Sequence, residues 1–308
     1  GDRPGADLVG AGPAARANMD GCFFVSDLHG EPARYRRLFE RIVAETPAAV
    51  FLGGDLLPSA LGPSRGAHGA QAEFIAGVLE PGFAAVRILL GDRAPRVFLV
   101  PGNDDLRAEE ETLLAAAARG AWEYAHMRRL GFGRFTVLGY ACVPPTPFRL
   151  KDWERYDVSR YVDPGCVSPE EGVRSVAAEE SETRWGTIQA DLEELAGVDD
   201  LADAVCLFHA PPYDTPLDRA ALDGRSVEHV PLDVHVGSIA VRRFIERRQP
   251  LLTLHGHVHE SARLTGEWRT RLGRTHCLSA AHDGPELALV RVDPARPEAA
   301  TRELLTAV

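Results

Sequence analysis

Five times in this 308-residue chain a short apolar run stops at a carboxylate, an amide or an imidazole. Cys22-Phe23-Phe24-Val25 runs into Ser26-Asp27-Leu28-His29, and Ala48 to Leu52 runs into Gly53-Gly54-Asp55. Val97 to Val100 meets Pro101-Gly102-Asn103-Asp104-Asp105, and Val205 to Phe208 meets His209. Leu251 to Leu254 leads into His255-Gly256-His257-Val258-His259. Apolar runs this short, bounded by Gly and Pro, read as buried strands. Between them, Tyr35, Leu38, Phe39, Ile42 and Val43 recur at helical spacing after Pro32. Gln71 to Leu90 reads as helix with a break at Pro81-Gly82, and Glu109 to Ala118 and Ser238 to Arg248 read as further helices. Such alternation predicts an α/β core, and polar residues at the carboxyl ends of its strands converge on one crevice.

The alternation lapses after a strand over Arg134 to Gly139. Residues 141–178 form a long irregular stretch with Pro144-Pro145-Thr146-Pro147-Phe148 and Lys151-Asp152-Trp153-Glu154-Arg155-Tyr156, read as an inserted, ordered cap. A helix over Glu179 to Leu195 follows, and Thr275 to Leu278 and Leu287 to Val292 alternate like antiparallel strands. Residues 1–18, rich in Gly, Ala, Pro and Arg, read as a flexible leader, and 19–308 as a single domain.

The balance of 34 Lys and Arg against 45 Asp and Glu leaves a net charge of −11, which disfavours general nucleic-acid binding and shifts the expected partner toward a small or metal-bound substrate. Arg242, Arg243, Arg247 and Arg248 are the one basic cluster, read as the solvated end of a helix. Five scattered cysteines without a Cys-x-x-Cys pair fit reduced thiols, and no apolar run reaches the ~18 residues of a membrane span, so a cytoplasmic protein without a membrane partner is expected. Oligomeric state is left open.

Converging strand ends would gather carboxylate, amide and imidazole donors without sulfur, a set suited to Mn, Fe, Zn, Co or Ni. Seven or eight donors exceed the needs of one ion, so two ions roughly 3.5–4 Å apart and bridged by a carboxylate are the economical reading. Each piece alone has an ordinary explanation: Gly54-Asp55 as a turn, Asn103 as a cap, His209 as a hydrogen-bonded strand-end residue. Their joint order, with steps of 28 (27 to 55), 48 (55 to 103), 106 (103 to 209) and 48 (209 to 257), does not.

In that order the segments resemble the calcineurin-like metallophosphoesterase superfamily, whose motifs run Asp-x-His, Gly-Asp, Gly-Asn-His-(Asp/Glu), His and Gly-His-x-His. The resemblance extends from Gly21 to about Val292. It implies a four-layer α/β/β/α sandwich of two mixed β-sheets flanked by helices. It places Asp27, His29 and His259 on one divalent ion, Asn103, His209 and His257 on a second, and Asp55 between them, with Mn or Fe favoured over Zn, Ni or Co. His255 lies just outside the motif and is expected to be structural. The reaction implied is hydrolysis of a phosphoester by direct attack of a hydroxide bridging the two metal ions. A phosphodiesterase acting on a small or nucleotide-like phosphoester is the first expectation. A phosphomonoesterase, or a catalytically weakened binding or scaffold protein of the same fold, is the alternative.

One position departs from the motif. Asp104 stands where the superfamily has a His beside the substrate phosphoryl group, and Asp105 follows. Asn103, Asp104 and Asp105 are the expected catalytic group, yet a carboxylate facing a phosphate is repulsive and nearby dications favour its ionised form. Asp104 is left to bind an ion or water, or the acid comes from His282, His235 or the cap. Gly54-Asp55 continues as Leu56-Leu57-Pro58, which favours neither the Ser/Thr protein phosphatases nor the purple acid phosphatases. For substrate contacts, Lys151 and Arg155 are expected on phosphate, Trp153 (with Tyr156 or Phe148) on a planar group, and Tyr213 at the pocket wall. The same segment also reads as a surface subdomain held by buried aromatics.

Overall fold

The computed structural model describes residues 21–60 and 67–306, so the leader expected over residues 1–18 lies outside the described residues. The first half of the chain gives β1 (Cys22–Val25), α1 (Pro32–Glu45), β2 (Ala49–Gly53), α2 (Ala67–Phe74), α3 (Glu80–Leu90), β3 (Arg96–Val100), α4 (Glu110–Ala118) and β4 (Glu123–Tyr124). The antiparallel pair β5 (Arg128–Phe132) and β6 (Phe135–Tyr140) follows. Beyond the insertion come α5 (Glu180–Trp185), α6 (Ile188–Ala196), β7 (Ala204–Phe208), the small hairpin β8 (Ser226–Val227) and β9 (Val230–Pro231), and α7 (Ile239–Arg248). The chain closes with β10 (Leu252–His255), α8 (Ser261–Thr265), β11 (Arg269–Leu272), β12 (Thr275–Ser279), β13 (Leu287–Val292) and β14 (Thr301–Leu305).

Two six-stranded sheets result, in the orders β14-β13-β1-β2-β3-β4 and β11-β12-β10-β7-β6-β5. Both are mixed. β1, β2 and β3 are parallel with β13 antiparallel to β1, and β6, β7, β10 and β12 are parallel between antiparallel β5 and β11. Strand residues alternate between faces. In β1, Cys22 and Phe24 join Phe51, Phe98, Val205, Leu207 and Leu254 in the core between the sheets. Phe23 and Val25 turn the other way, onto Tyr35, Leu38, Phe83 and Leu113 of the first helical layer. The outer face of the second sheet buries Leu138, Cys206 and Phe208 against Leu192, Val241 and Phe244. The architecture is the four-layer α/β/β/α sandwich.

Three local expectations need correction. The break at Pro81-Gly82 is absent, because Ile75–Leu79 adopt a π-helical turn and α3 restarts with Pro81 in its first turn, where a missing N–H costs little. Gly69–Arg93 therefore forms a helical run long and apolar enough, by length and composition alone, to cross a membrane, contrary to the sequence reading. Phe74, Ile75, Leu79, Phe83, Val86 and Leu90 of that run nevertheless lie in the core with β2 and β3. Second, the helix expected over Glu179 to Leu195 divides at Gly186-Thr187, and the Thr187 hydroxyl caps α6 by accepting the Ala190 N–H. Third, the tail is antiparallel only in part: β13 is antiparallel to β1 and β14, whereas β12 is antiparallel to β11 but parallel to β10.

Residues 141–178 contain turns and isolated bridges, Val143 to Glu154 and Leu150 to Val173 among them. Two carboxylates, the buried Asp152 and the half-buried Asp157, tie this stretch to the rest of the fold. Asp152 accepts the N–H groups of Arg107 and Ser175, joining it to the segment after Gly102-Asn103-Asp104-Asp105. Asp157 accepts from the Ser238 hydroxyl and from the first N–H groups of α7.

Candidate metal centre

Because β1, β2 and β3 are parallel, as are β7 and β10, their carboxyl ends open on one crevice. The loops there are stitched together by backbone: Asp27 N–H donates to Gly54 O, His29 N–H to Asp55 O and Gly30 N–H to Leu56 O, each at 2.9 Å. Gly256 N–H donates to His209 O at 3.0 Å and joins the fifth segment to the fourth. Asp27, His29, Asp55 and His257 all have φ between +47° and +75°. Left-handed backbone at non-glycine residues is held against strain by its surroundings and clusters at functional sites.

The side chains form two groups that share Asp55. Donor atoms of Asp27, His29, Asp55 and His259 lie within 4.8 Å of one another, as do those of Asp55, His209 and His257. Asp55 Oδ1 accepts the Asp104 N–H at 2.8 Å, which leaves Oδ2 3.4 Å from His209 Nε2 and 4.0 Å from His29 Nε2. His209 Nδ1 is 2.7 Å from Gly53 O, so Nδ1 carries the proton and Nε2 faces Asp55 and the Asn103 Oδ1 at 3.2 Å. Asp27 accepts from Ser26 Oγ and from the His257 N–H, and its Oδ1 lies 3.3 Å from His259 Nε2. His29 Nε2 and His259 Nε2 face each other at 3.1 Å. Two imidazole nitrogens at that separation cannot both carry protons, whereas both can donate lone pairs to a cation. This all-oxygen-and-nitrogen donor set, already arranged in two groups, fits divalent metal ions.

In the metal-free site the carboxylates and imidazoles balance one another's charge. Burial alone would raise the Asp27 carboxyl, but His259 holds it down at about 2. Burial likewise opposes ionisation of Asp55, and the His209 and His29 imidazoles more than offset it, so Asp55 stays anionic. Burial pulls His29 and His209 down, yet the adjacent carboxylates lift both to about 9. His257 is pushed down to about 3 by burial and by the charge of His209, so it is neutral. His255 is fully buried between Ala210 O and Thr253 Oγ1, and burial lowers it to about 4; its role is structural.

Several expected site residues sit elsewhere. Asp105 does not face the crevice: its carboxylate accepts the N–H groups of Leu56, Leu57 and Gly102, tying two ligand loops together. Asp104 is buried, with Oδ2 on His29 Nδ1 and Oδ1 on the Ala60 N–H, so its carboxylate is turned to the protein. Lys151 is fully buried, with Nζ 2.5 Å from Glu154 Oε2 and bonded to Thr146 O, and therefore cannot reach a phosphate. Trp153 is 1% exposed and Tyr156 2%, which makes both of them core. Arg155 is bound to Glu182 and Asp191. Tyr213 is part-exposed and donates its hydroxyl to Asp233. His235 pairs with Asp218 and His282 with Glu286, each through a ring nitrogen. Of the basic cluster, Arg242 pairs with Asp214 and Glu246, and Arg247 with Glu193.

Two supporting residues carry no sequence signal. Arg34 donates to Asp27 O and to Gly284 O, pinning a ligand loop to the β12–β13 connection. Gln71, a fully buried amide in α2, spans Pro58 O, Asp104 O and Leu106 N.

The sequence profile of the calcineurin-like phosphoesterases matches residues 23–261, from β1 through the last histidine segment. The chain belongs to that family. Its members are dinuclear-metal-dependent phosphoester hydrolases, and this chain is accordingly a metal-dependent phosphoester hydrolase. One solved structure aligns with TM-score 0.60 and 18% identity over 93% of this chain and 99% of that chain. The TT1561 protein of Thermus thermophilus aligns with TM-score 0.54 and 16% identity over 94% and 100%. A dimetal phosphatase from Danio rerio aligns with TM-score 0.46 and 13% identity over 89% and 92%. For the first two, at 18% and 16% identity, the likeness is one of fold. None of the curated proteins matches significantly.

Proposed function

We propose that this calcineurin-like phosphoesterase is a phosphodiesterase acting on a small or nucleotide-like substrate, with Asp27, His29 and His259 holding one divalent ion, Asn103, His209 and His257 the other, and Asp55 shared. When bound, two divalent ions neutralise phosphoryl oxygens and lower the pKa of a coordinated water enough to supply a nucleophile near neutral pH. The protein's own part is preorganisation. The Asp104 N–H directs one Asp55 oxygen, Gly53 O fixes the His209 tautomer, and Ser26 and the His257 N–H hold Asp27.

The observation that carries the diester reading is that the two cations expected on phosphate are taken up elsewhere, Lys151 by Glu154 and Arg155 by Glu182 and Asp191. A diester brings one negative charge and a monoester up to two, so the diester needs less cationic help beyond the metal ions. Asp104, committed to His29 and Ala60, also leaves its position without a proton donor aimed outward, which favours substrates whose leaving groups need little protonation.

The test compares bis-p-nitrophenyl phosphate with p-nitrophenyl phosphate on protein stripped with chelator and resupplied with Mn, Fe, Zn, Ni or Co in turn. The expected kcat/KM favours the diester by at least about tenfold, a difference of ~1.4 kcal/mol in transition-state stabilisation. Dominant monoester cleavage contradicts the proposal.

A further inference from the structure

We propose that Asp104 is a positioning residue for the ion held by Asp27, His29 and His259: its carboxylate selects the His29 tautomer whose Nε2 lone pair faces that ion. The inference rests on the two-ion reading above and deepens it.

Asp104 is 2% exposed and its two oxygens have different partners. Oδ1 accepts the Ala60 N–H at 2.7 Å, and Oδ2 lies 3.1 Å from His29 Nδ1. A carboxylate can only accept, so the proton between them belongs to His29 Nδ1. The free lone pair is then on Nε2, the atom that faces His259 Nε2 at 3.1 Å and Asp55 at 4.0 Å. Neither partner is loose. His29 has φ +47° with its N–H bound to Asp55 O, while Asp104 donates its own N–H to Asp55 Oδ1 and accepts from Gln71 at its carbonyl.

His209 solves the same problem with a backbone carbonyl, Gly53 O, which no side-chain substitution removes. His29 uses a carboxylate. A carboxylate behind a ligating imidazole both fixes the ring and makes its far nitrogen a better donor, an effect worth about 10–100-fold in metal affinity. The residue that departs from the family motif thus acts on a metal ligand instead of on the substrate.

Mn²⁺ binding to the chelator-stripped full chain, followed by isothermal titration, tests this. The wild type is expected to take up two equivalents. In Asp104→Asn, one amide oxygen satisfies Ala60 and the amide NH₂ then faces His29 Nδ1, which reverses the tautomer and puts a proton on Nε2. One equivalent should weaken by about 10–100-fold while the other stays within about threefold. Adding Asp104→Asn to His29→Ala should cause no further loss, because the partner through which Asp104 acts is gone.

Two equivalents at unchanged affinity in Asp104→Asn overturn the assignment. So does equal weakening of both sites with a lowered melting temperature, which marks a general structural role. A wild type that binds no Mn²⁺ overturns the two-ion reading together with this inference. If the variant does not fold, imidazole ¹⁵N NMR of the Zn²⁺-loaded wild type decides: Nδ1–H with Nε2 on the ion is expected for His29, and the reverse pattern refutes the proposal.

Discussion

Asp55 Oδ2 stands 3.4 Å from His209 Nε2, although the two residues come from different sheets. The contact crosses the sandwich at the carboxyl ends of β2 and β7, and it is where the two groups of donors join. His209 is fully buried and Asp55 3% exposed, so neither charge is screened by bulk water. A carboxylate placed there serves both groups at once.

Asp55→Ala removes the shared donor. Both ions should be lost or bound weakly, and hydrolysis should fall by on the order of 10³-fold. Metal content after desalting, measured alongside phosphoester turnover, checks this. Full turnover with unchanged metal content would refute the shared role.

Proton release on metal binding follows from the imidazoles. In the metal-free protein, burial pulls His29 and His209 down and the neighbouring carboxylates lift both to about 9, from an ordinary 6.5. A bound cation must displace those protons. Apparent metal affinity should therefore rise as pH increases from 6.5 toward 9, with protons released on binding. The stability of the metal-free protein should move oppositely: the contribution of these raised groups is complete below 6.5 and lost through 9. Titrations in buffers of different ionisation enthalpy, and melting curves with chelator, measure the two signs.

Gly102, in the third ligand segment, lies against the second and fourth. A Cβ there would lie 2.3 Å from Asp55 Oδ1 and 2.7 Å from His209 Nε2. Gly102→Ala should displace both ligands and cost on the order of 1–3 kcal/mol of stability from overpacking. Metal content and activity should fall together. A variant with wild-type metal content would show that the loops have room which the distances deny.

The insertion should behave as structure. Lys151→Met leaves the buried Glu154 carboxylate without its cation and should destabilise by about 3–5 kcal/mol, and Trp153→Ala by a similar amount. Preference among phosphoesters should stay unchanged in the folded fraction. Urea unfolding with a substrate panel separates the two effects, and altered selectivity with intact stability would restore a recognition role to this segment.

The strand ends are readable from sequence because strand termination and ligand placement coincide. Val25 precedes Ser26-Asp27, and Phe208 precedes His209, so an apolar-to-polar switch marks both element and donor. Lys151, Trp153 and Arg155 show the opposite case. Residue type suggests phosphate and base contacts, but long-range partners decide which way a side chain turns, and Glu154, Glu182 and Asp191 take up the charges. Asp105 departs from expectation for a related reason. One residue beyond a ligand loop, its carboxylate points back to three backbone N–H groups, a geometry no spacing encodes. Pro81 marks the usual helix break, yet the preceding π-turn lets the helical run absorb it.

The measurement that bears most directly on the two-ion centre is metal stoichiometry coupled to turnover. Protein stripped with chelator is titrated with Mn²⁺ while bis-p-nitrophenyl phosphate hydrolysis is followed in the same sample. Activity absent without metal and rising to a plateau at two ions per chain is the expected result. Hydrolysis that persists in the stripped protein, or that saturates at one ion with the second site empty, would contradict the dinuclear centre built on Asp55.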